Sequence, residues 1–241
     1  MFDHIDIAVS DLEASKRFYD LALGDGIPEP IPAHEWLEWG DFGITPVTDD
    51  HPLSQHLHIA FGAESREAVD AWWQRMVDAG YASDGEPGQR PQYSDSYYGA
   101  FLLDPDGNSV ESVHKENSRP GQIDHMWLRT RDVAATRDFY ETVAPIVGLQ
   151  LVRDLPERVT FVTGRESFTF VLGDKPSANV HFAFAAPDTA TVAAFHATAI
   201  KAGYRDNGPP GERPQYHPGY YGAFLLDPNG HNVEAVFHDR S

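Results

Sequence analysis

Residues 87–107 read PGQRPQYSDSYYGAFLLDPDG, and residues 210–230 read PGERPQYHPGYYGAFLLDPNG. Sixteen of these 21 positions are identical, at a constant offset of 123. Working outward, the openings match as well: FDHIDIAVSDLEASKRFYD at 2–20 against IDHMWLRTRDVAATRDFYE at 123–141, at an offset of 121. The chain is a tandem duplication. Its seam falls at Asn117-Ser118-Arg119-Pro120-Gly121, polar and holding Pro and Gly as a linker does. A period near 120 is too long for a solenoid repeat and long enough for a self-contained core, so domains are expected at 1–117 and 121–241.

Each repeat contains a weaker repeat of its own. Ile5, Ile7 and Val9 alternate with Asp6 and Ala8, the pattern of a strand over 3–9. Ser10 is the expected cap of the following helix and Asp11 favours its first turn. That helix is expected to bury Leu12, Phe18, Tyr19 and Ala22 before Gly24. HLHIAF at 56–61 opens the second half as a strand, and Val69, Trp72, Trp73 and Met76 follow at helical spacing up to Gly80. Strands at 98–103 and 109–114 flank the turn Asp104-Pro105-Asp106-Gly107. The second repeat has the same order: strand 124–129, helix 132–144, strands 158–162 and 167–172, strand 179–184, and helix 188–202 ending at Gly203. The pattern predicts an α+β chain of four βαβββ units, two per domain.

Composition removes many function classes. The 241 residues hold 18 Lys plus Arg and 37 Asp plus Glu, a net charge of −19. Such a chain repels phosphate backbones and anionic membranes, so neither nucleic acid nor membrane is an expected partner. With no cysteine, disulfides, thiolate metal ligands and cysteine nucleophiles are absent. No apolar run approaches the ~18 residues of a membrane span. Met1-Phe2-Asp3-His4 has neither the basic nor the apolar region of a signal peptide. The expectation is a soluble cytoplasmic protein, monomer or homodimer, acting on a small molecule.

Three polar residues interrupt strands at equivalent places in both repeats. His4 and His125 lie in the first strand, His58 and His181 in the strand opening the second half, and Glu111 and Glu234 in the last strand. One strand histidine is ordinarily a hydrogen-bonded core residue. A buried glutamate is costly unless paired, and the same trio occurs twice. Two imidazoles and a carboxylate suit a borderline divalent ion with open positions: Fe, Mn, Co, Ni or Zn, up to two per chain. His34, His51, His196 and His238 read as ordinary surface histidines.

At these residues the chain resembles the vicinal oxygen chelate superfamily, which includes glyoxalase I, extradiol ring-cleavage dioxygenases and bleomycin resistance proteins. DHIDIAVSDLEASKRFY, the HLHIAF strand and the FLLDPDGNSVE ending carry the resemblance, which covers nearly the whole chain twice. It implies two tandem glyoxalase-like domains, each a cup-shaped mixed sheet around a metal. It assigns the ligand role to His4, His58, Glu111, His125, His181 and Glu234, and implies a substrate that chelates through two adjacent oxygens. Two departures stand out. The stretches matching the fourth ligand of glyoxalase I, Gly43–Val47 and Phe168–Val171, offer no carboxylate or histidine. The tyrosine that extradiol dioxygenases place before the DP turn is Phe101 and Phe224 here, and their upstream histidine is matched by His217 but not by Ser94.

The loop before the last hairpin supplies further candidates. Arg90, Tyr93, Tyr97 and Tyr98 reappear as Arg213, Tyr216, Tyr220 and Tyr221. Arginine suits a substrate carboxylate and tyrosine a developing oxyanion; the expected substrate contacts are Arg90, Tyr93, Tyr98, Arg213, Tyr216 and Tyr221. The plainer reading is that these side chains shape the loop. Glu111, Glu234 and His217 are the candidates for moving a proton, and His217 favours the second domain as the active one. The first functional reading is a metal-dependent isomerase, lyase or ring-cleavage enzyme. The alternative is a sequestering protein whose cups, lined by Trp36, Trp39, Trp127 and the tyrosines, hold an aromatic ligand without turnover. Spacing leaves open whether each domain builds its own trio or whether His4 joins His181 and Glu234 while His125 joins His58 and Glu111.

Overall fold

A computed structural model describes residues 2–23 and 36–239; Gly24 and His34 lie outside the described residues. The elements run β1 (Phe2–Val9), α1 (Leu12–Leu23), β2 (Leu37–Trp39), β3 (Phe42–Pro46), β4 (His58–Gly62), α2 (Arg66–Asp78), β5 (Ser83–Gln89), β6 (Tyr98–Leu103), β7 (Ser109–His114) and β8 (Ile123–Thr130). They continue as α3 (Val133–Val147), β9 (Gln150–Leu155), β10 (Arg158–Thr163), β11 (Glu166–Leu172), β12 (Val180–Ala185), α4 (Thr189–Lys201), β13 (Arg205–Glu212), β14 (Tyr220–Leu226) and β15 (Asn232–His238). The strands form two mixed sheets, and the class is α+β as the repeats predict. Among the described residues, no helix is long and apolar enough to cross a membrane.

The chain divides into two compact units, Ala8–Trp127 and Met1–Ile7 with Leu128–Ser241. Both boundaries fall inside a strand, β1 and β8. Residues 2–7 pack with the second repeat, and the start of the second repeat packs with the first.

In the unit Ala8–Trp127, β4 runs parallel to β7 and antiparallel to the start of β8. β6 and β5 extend the sheet antiparallel beyond β7. Helix α1 buries Phe18, Tyr19 and Ala22, while α2 buries Val69, Trp72 and Met76. Burying each large side chain is worth about 1.5–3 kcal/mol. The Trp72 indole N–H donates to the Ala22 carbonyl at 2.6 Å, tying the helices together. Asp11, not Ser10, caps α1: its carboxylate accepts from the Ala14 N–H at 2.9 Å. Ser10 is diverted to Asp106, to which its hydroxyl and backbone N–H both donate.

In the other unit, β12 lies between antiparallel β1 and parallel β15, and β14 and β13 continue outward. β9, β10 and β11 form a meander. Tyr140, Phe161, Phe168, Phe170, Phe182 and Phe184 are all fully buried. Phe161 stacks on Phe168 at 5.4 Å and Tyr140 meets Phe168 edge-on at 5.0 Å, pairs worth about 0.5–1.5 kcal/mol beyond their area.

The repeated DP turn has a structural role. The Asp104 carboxylate accepts the backbone N–H groups of Asp106 and Asn108 and, at 3.0 Å, the Tyr19 hydroxyl of α1. Asp227 does the same with Asn229, His231 and, at 3.2 Å, Tyr140 of α3. Each turn is thereby tied to a helix of its own unit.

Candidate metal centres

Strand register builds each site around a small residue. On β4, Ala60 has Glu111 of β7 opposite on one side and His125 of β8 opposite on the other. His58, two residues earlier, points from the same face because side chains alternate along a strand. The second unit repeats this around Ala183, flanked by His4 of β1 and Glu234 of β15, with His181 two residues earlier. A bulkier residue than alanine would hold the three side chains apart; Ala60 and Ala183 are fully buried beneath them.

Two clusters result, His58–Glu111–His125 and His4–His181–Glu234, with candidate ligand atoms within 4.8 Å of one another. In the first, His58 Nε2 lies 3.1 Å and His125 Nε2 3.4 Å from Glu111 Oε2, and the two Nε2 atoms are 3.4 Å apart. In the second, His4 and His181 Nε2 are 3.2 Å apart, and they lie 3.9 and 3.2 Å from Glu234 Oε2. So β1 and β8 exchange between repeats, and each trio combines residues of both.

The outer atoms of each cluster are held. His4 Nδ1 pairs with Asp3 at 2.9 Å and His125 Nδ1 with Asp124 at 2.8 Å. Donating Nδ1–H to a carboxylate turns the Nε2 lone pair of a neutral ring inward. Ser109 donates to Asp84, which leaves its oxygen to accept from His58 Nδ1 at 3.2 Å. The Tyr97 hydroxyl donates to both oxygens of Glu111, at 2.8 and 3.0 Å, and Tyr220 donates to Glu234 Oε1 at 2.8 Å. Gly99 and Gly222 make room: a Cβ there would stand 2.2 Å from Glu111 Oε1 and 2.3 Å from Glu234 Oε1.

The electrostatics follow from burial and charge. Burial opposes protonation of His4, but Asp6, Asp3 and Glu234 outweigh it and raise the imidazole to about 10. Burial likewise opposes His125, and Asp124 and Glu111 raise it to about 9. Burial opposes ionisation of Glu111, and His125 and His58 bring it down to about 2. For Tyr97 and Tyr220, burial and then the adjacent glutamate push the phenol far above its ordinary range, so both remain hydroxyl donors.

Other sequence candidates fall at the rim or outside. Tyr93 and Tyr216 are half-exposed, with rings 4.9 and 4.8 Å from Tyr97 and Tyr220. Arg90 donates to the carbonyls of Glu86 and Gln89 and lies over Phe101; Arg213 donates to those of Pro209 and Glu212 and lies over Phe224. Both guanidinium groups are engaged in shaping their own loops. Tyr98 bonds Asp70 of α2, on the side of the strand away from the cluster, and Tyr221 alternates with Tyr220 in the same way. His217 is outside the cluster: its Nε2 lies 2.8 Å from His238 Nδ1, and His238 Nε2 lies 3.0 Å from Asp3. His238 is thus linked to the site rather than a plain surface histidine, whereas His196 pairs with exposed Asp206 and His51 with Thr48. Trp39 is core, packed on Tyr19 and Phe42, and does not line a cup.

The sequence names Tyr97 and Tyr220 among the loop candidates but not among the expected contacts, and it does not single out Asp3 or Asp124. The Asp-His pair recurs at 3–4 and 124–125, a signal that was present. Which tyrosine of each Tyr-Tyr pair faces the cluster depends on strand parity.

Fold and clusters together define a duplicated βαβββ protein with a His, His, Glu cluster in each unit. The chain belongs to the Glyoxalase/Bleomycin resistance protein/Dioxygenase superfamily, whose family model matches residues 1–112 and 122–235. It is 31% identical over 122 residues to Uncharacterized protein YqjT of Bacillus subtilis (strain 168), covering 46% of this chain and 95% of that protein. It is similar in fold to the crystal structure of glyoxalase I from Zea mays, with a TM-score of 0.71, 19% identity, and coverage of 98% of this chain and 92% of that one.

Proposed function

We propose that this chain is a divalent-metal-dependent enzyme acting on a small molecule that presents two adjacent oxygens. The observation that carries the reading is the convergence of two inward Nε2 atoms and a carboxylate oxygen, twice. Like lone pairs about 3.2–3.4 Å apart repel unless a proton or a cation lies between them. The carboxylate–histidine pairs behind His4 and His125 and the tyrosines behind both glutamates are the supports that metal ligands need.

His4, His181 and Glu234 would hold one ion, and His58, His125 and Glu111 the other, from Fe, Mn, Co, Ni or Zn. A bound ion supplies Lewis acidity to two substrate oxygens. Tyr97 and Tyr220 keep the glutamates oriented and supply a proton-bearing hydroxyl beside them. Glu111 and Glu234 are the groups placed to move a proton. His217 stands at the outer end of the chain His217–His238–Asp3–His4 and acts through positioning. Tyr93 and Tyr216 line the approach to the sites.

The test is metal content per untagged chain, by elemental analysis, beside a His58→Ala, His181→Ala double variant. About two equivalents, lost in the variant, are expected from two trios. No tight metal, even after reconstitution, would sink the reading and leave the sequestering protein, whose ligand affinity survives chelation.

A further inference from the structure

The two centres differ at one position that no ligand trio includes. Asp6 follows His4 by two residues on β1 and so shares its face. In the antiparallel register it stands directly opposite His181. Its Oδ2 is 3.6 Å from His4 Nε2. Its Oδ1 is buried with no hydrogen-bond partner among the described residues, and Glu234 Oε2, which lies 3.2 Å from His181 Nε2, makes no hydrogen bond either. Two buried carboxylates, each with one oxygen lacking a hydrogen bond, thus accompany two imidazole Nε2 atoms, an arrangement whose charge a divalent cation would balance.

The equivalent position in the other unit is Trp127, directly opposite His58. Its ring meets Tyr93 edge-on at 6.1 Å. An indole at that position offers the ion nothing and gives the site an aromatic wall.

We propose that Asp6 is a fourth protein donor at the His4–His181–Glu234 centre, so that the two centres are inequivalent in affinity and in open positions. The inference rests on the metal-dependent reading above. Two carboxylates balance the charge of a divalent ion and shift preference toward harder cations such as Mn(II). The His58 centre, with one carboxylate, keeps a net positive charge and one more open position. It also has Trp127 and Tyr93 alongside, which suits a flat, anionic, two-oxygen chelate. The extra donor comes from the same strand as His4, not from the stretches where glyoxalase I finds its fourth ligand.

The test is a calorimetric titration of metal-free full-length chain with Mn(II). Wild type is expected to show two classes of site. Asp6→Asn, which keeps size and removes charge, should weaken the tighter class at least tenfold and leave the other within twofold. His58→Ala should abolish the weaker class and leave the tighter one. A Co(II) absorption spectrum of wild type and Asp6→Asn gives a second readout, since exchanging a carboxylate donor for a neutral amide changes the ligand-field bands of one ion only. Unchanged affinities and spectra in Asp6→Asn would overturn this inference while leaving the metal reading intact. A wild-type chain that takes up no Mn(II) or Co(II) would overturn both.

Discussion

At the scale of single residues, the supports are as informative as the ligand candidates. Tyr97 and Tyr220 are kept protonated by burial and by the glutamates they serve. Removing the hydroxyl leaves Glu111 or Glu234 without its orienting donor while the ring still fills its place. Tyr97→Phe is expected to weaken ion binding at the His58 centre by about 10–100-fold and to leave the His4 centre unchanged, read by competition with a chelator. Equal weakening at both centres would show that the two sites do not act separately. The sequence marked the Tyr-Tyr pairs but not which member matters, because strand alternation reverses the answer with a one-residue change of register.

At the scale of elements, the turn before β15 carries a pH-dependent term. His231 is fully buried, accepts the Val180 N–H at 3.2 Å on Nδ1, and is held below its ordinary pKa by burial. Below about pH 6.5 the unfolded chain takes up a proton that the folded chain refuses, so folding weakens on acidification by up to about 1.4 kcal/mol per pH unit. The equivalent residue in the first repeat is Asn108, whose Oδ1 faces the Leu57 N–H at 3.4 Å. His231→Asn is therefore expected to keep the contact and lose the slope. In urea unfolding between pH 7 and pH 5, wild type should lose stability relative to the variant; a constant difference would refute the assignment. The element order was legible because hydrophobic spacing and turn residues are local. The caps were less so: Ser10 and Asp11 are both good caps, and the choice fell to Asp11 because Asp106, distant in sequence, engages Ser10.

At the scale of the whole molecule, sequence repeats and compact units do not coincide. Both units contain chain from each side of the seam at 117–121. Cleavage at a protease site placed at Ser118 is expected to leave the fragments together. The nicked chain should elute as one species by size exclusion and keep its metal, since each centre draws on both fragments. Fragments that separate under native conditions would contradict this partition.

The sequence by itself determined the duplication, the βαβββ order and the identities of the two imidazole and one carboxylate types, because repetition, strand period and the cost of a buried glutamate are all local or countable properties. The tertiary structure decided that His4 joins His181 and Glu234 and that His125 joins His58 and Glu111. It also decided that Asp6 and Trp127 occupy matching positions beside them. The 53 residues from His58 to Glu111 and from His181 to Glu234 are the same whichever opening histidine joins each pair. Only the pairing of β1 with β12 and β8 with β4, a long-range hydrogen-bond register, distinguishes them.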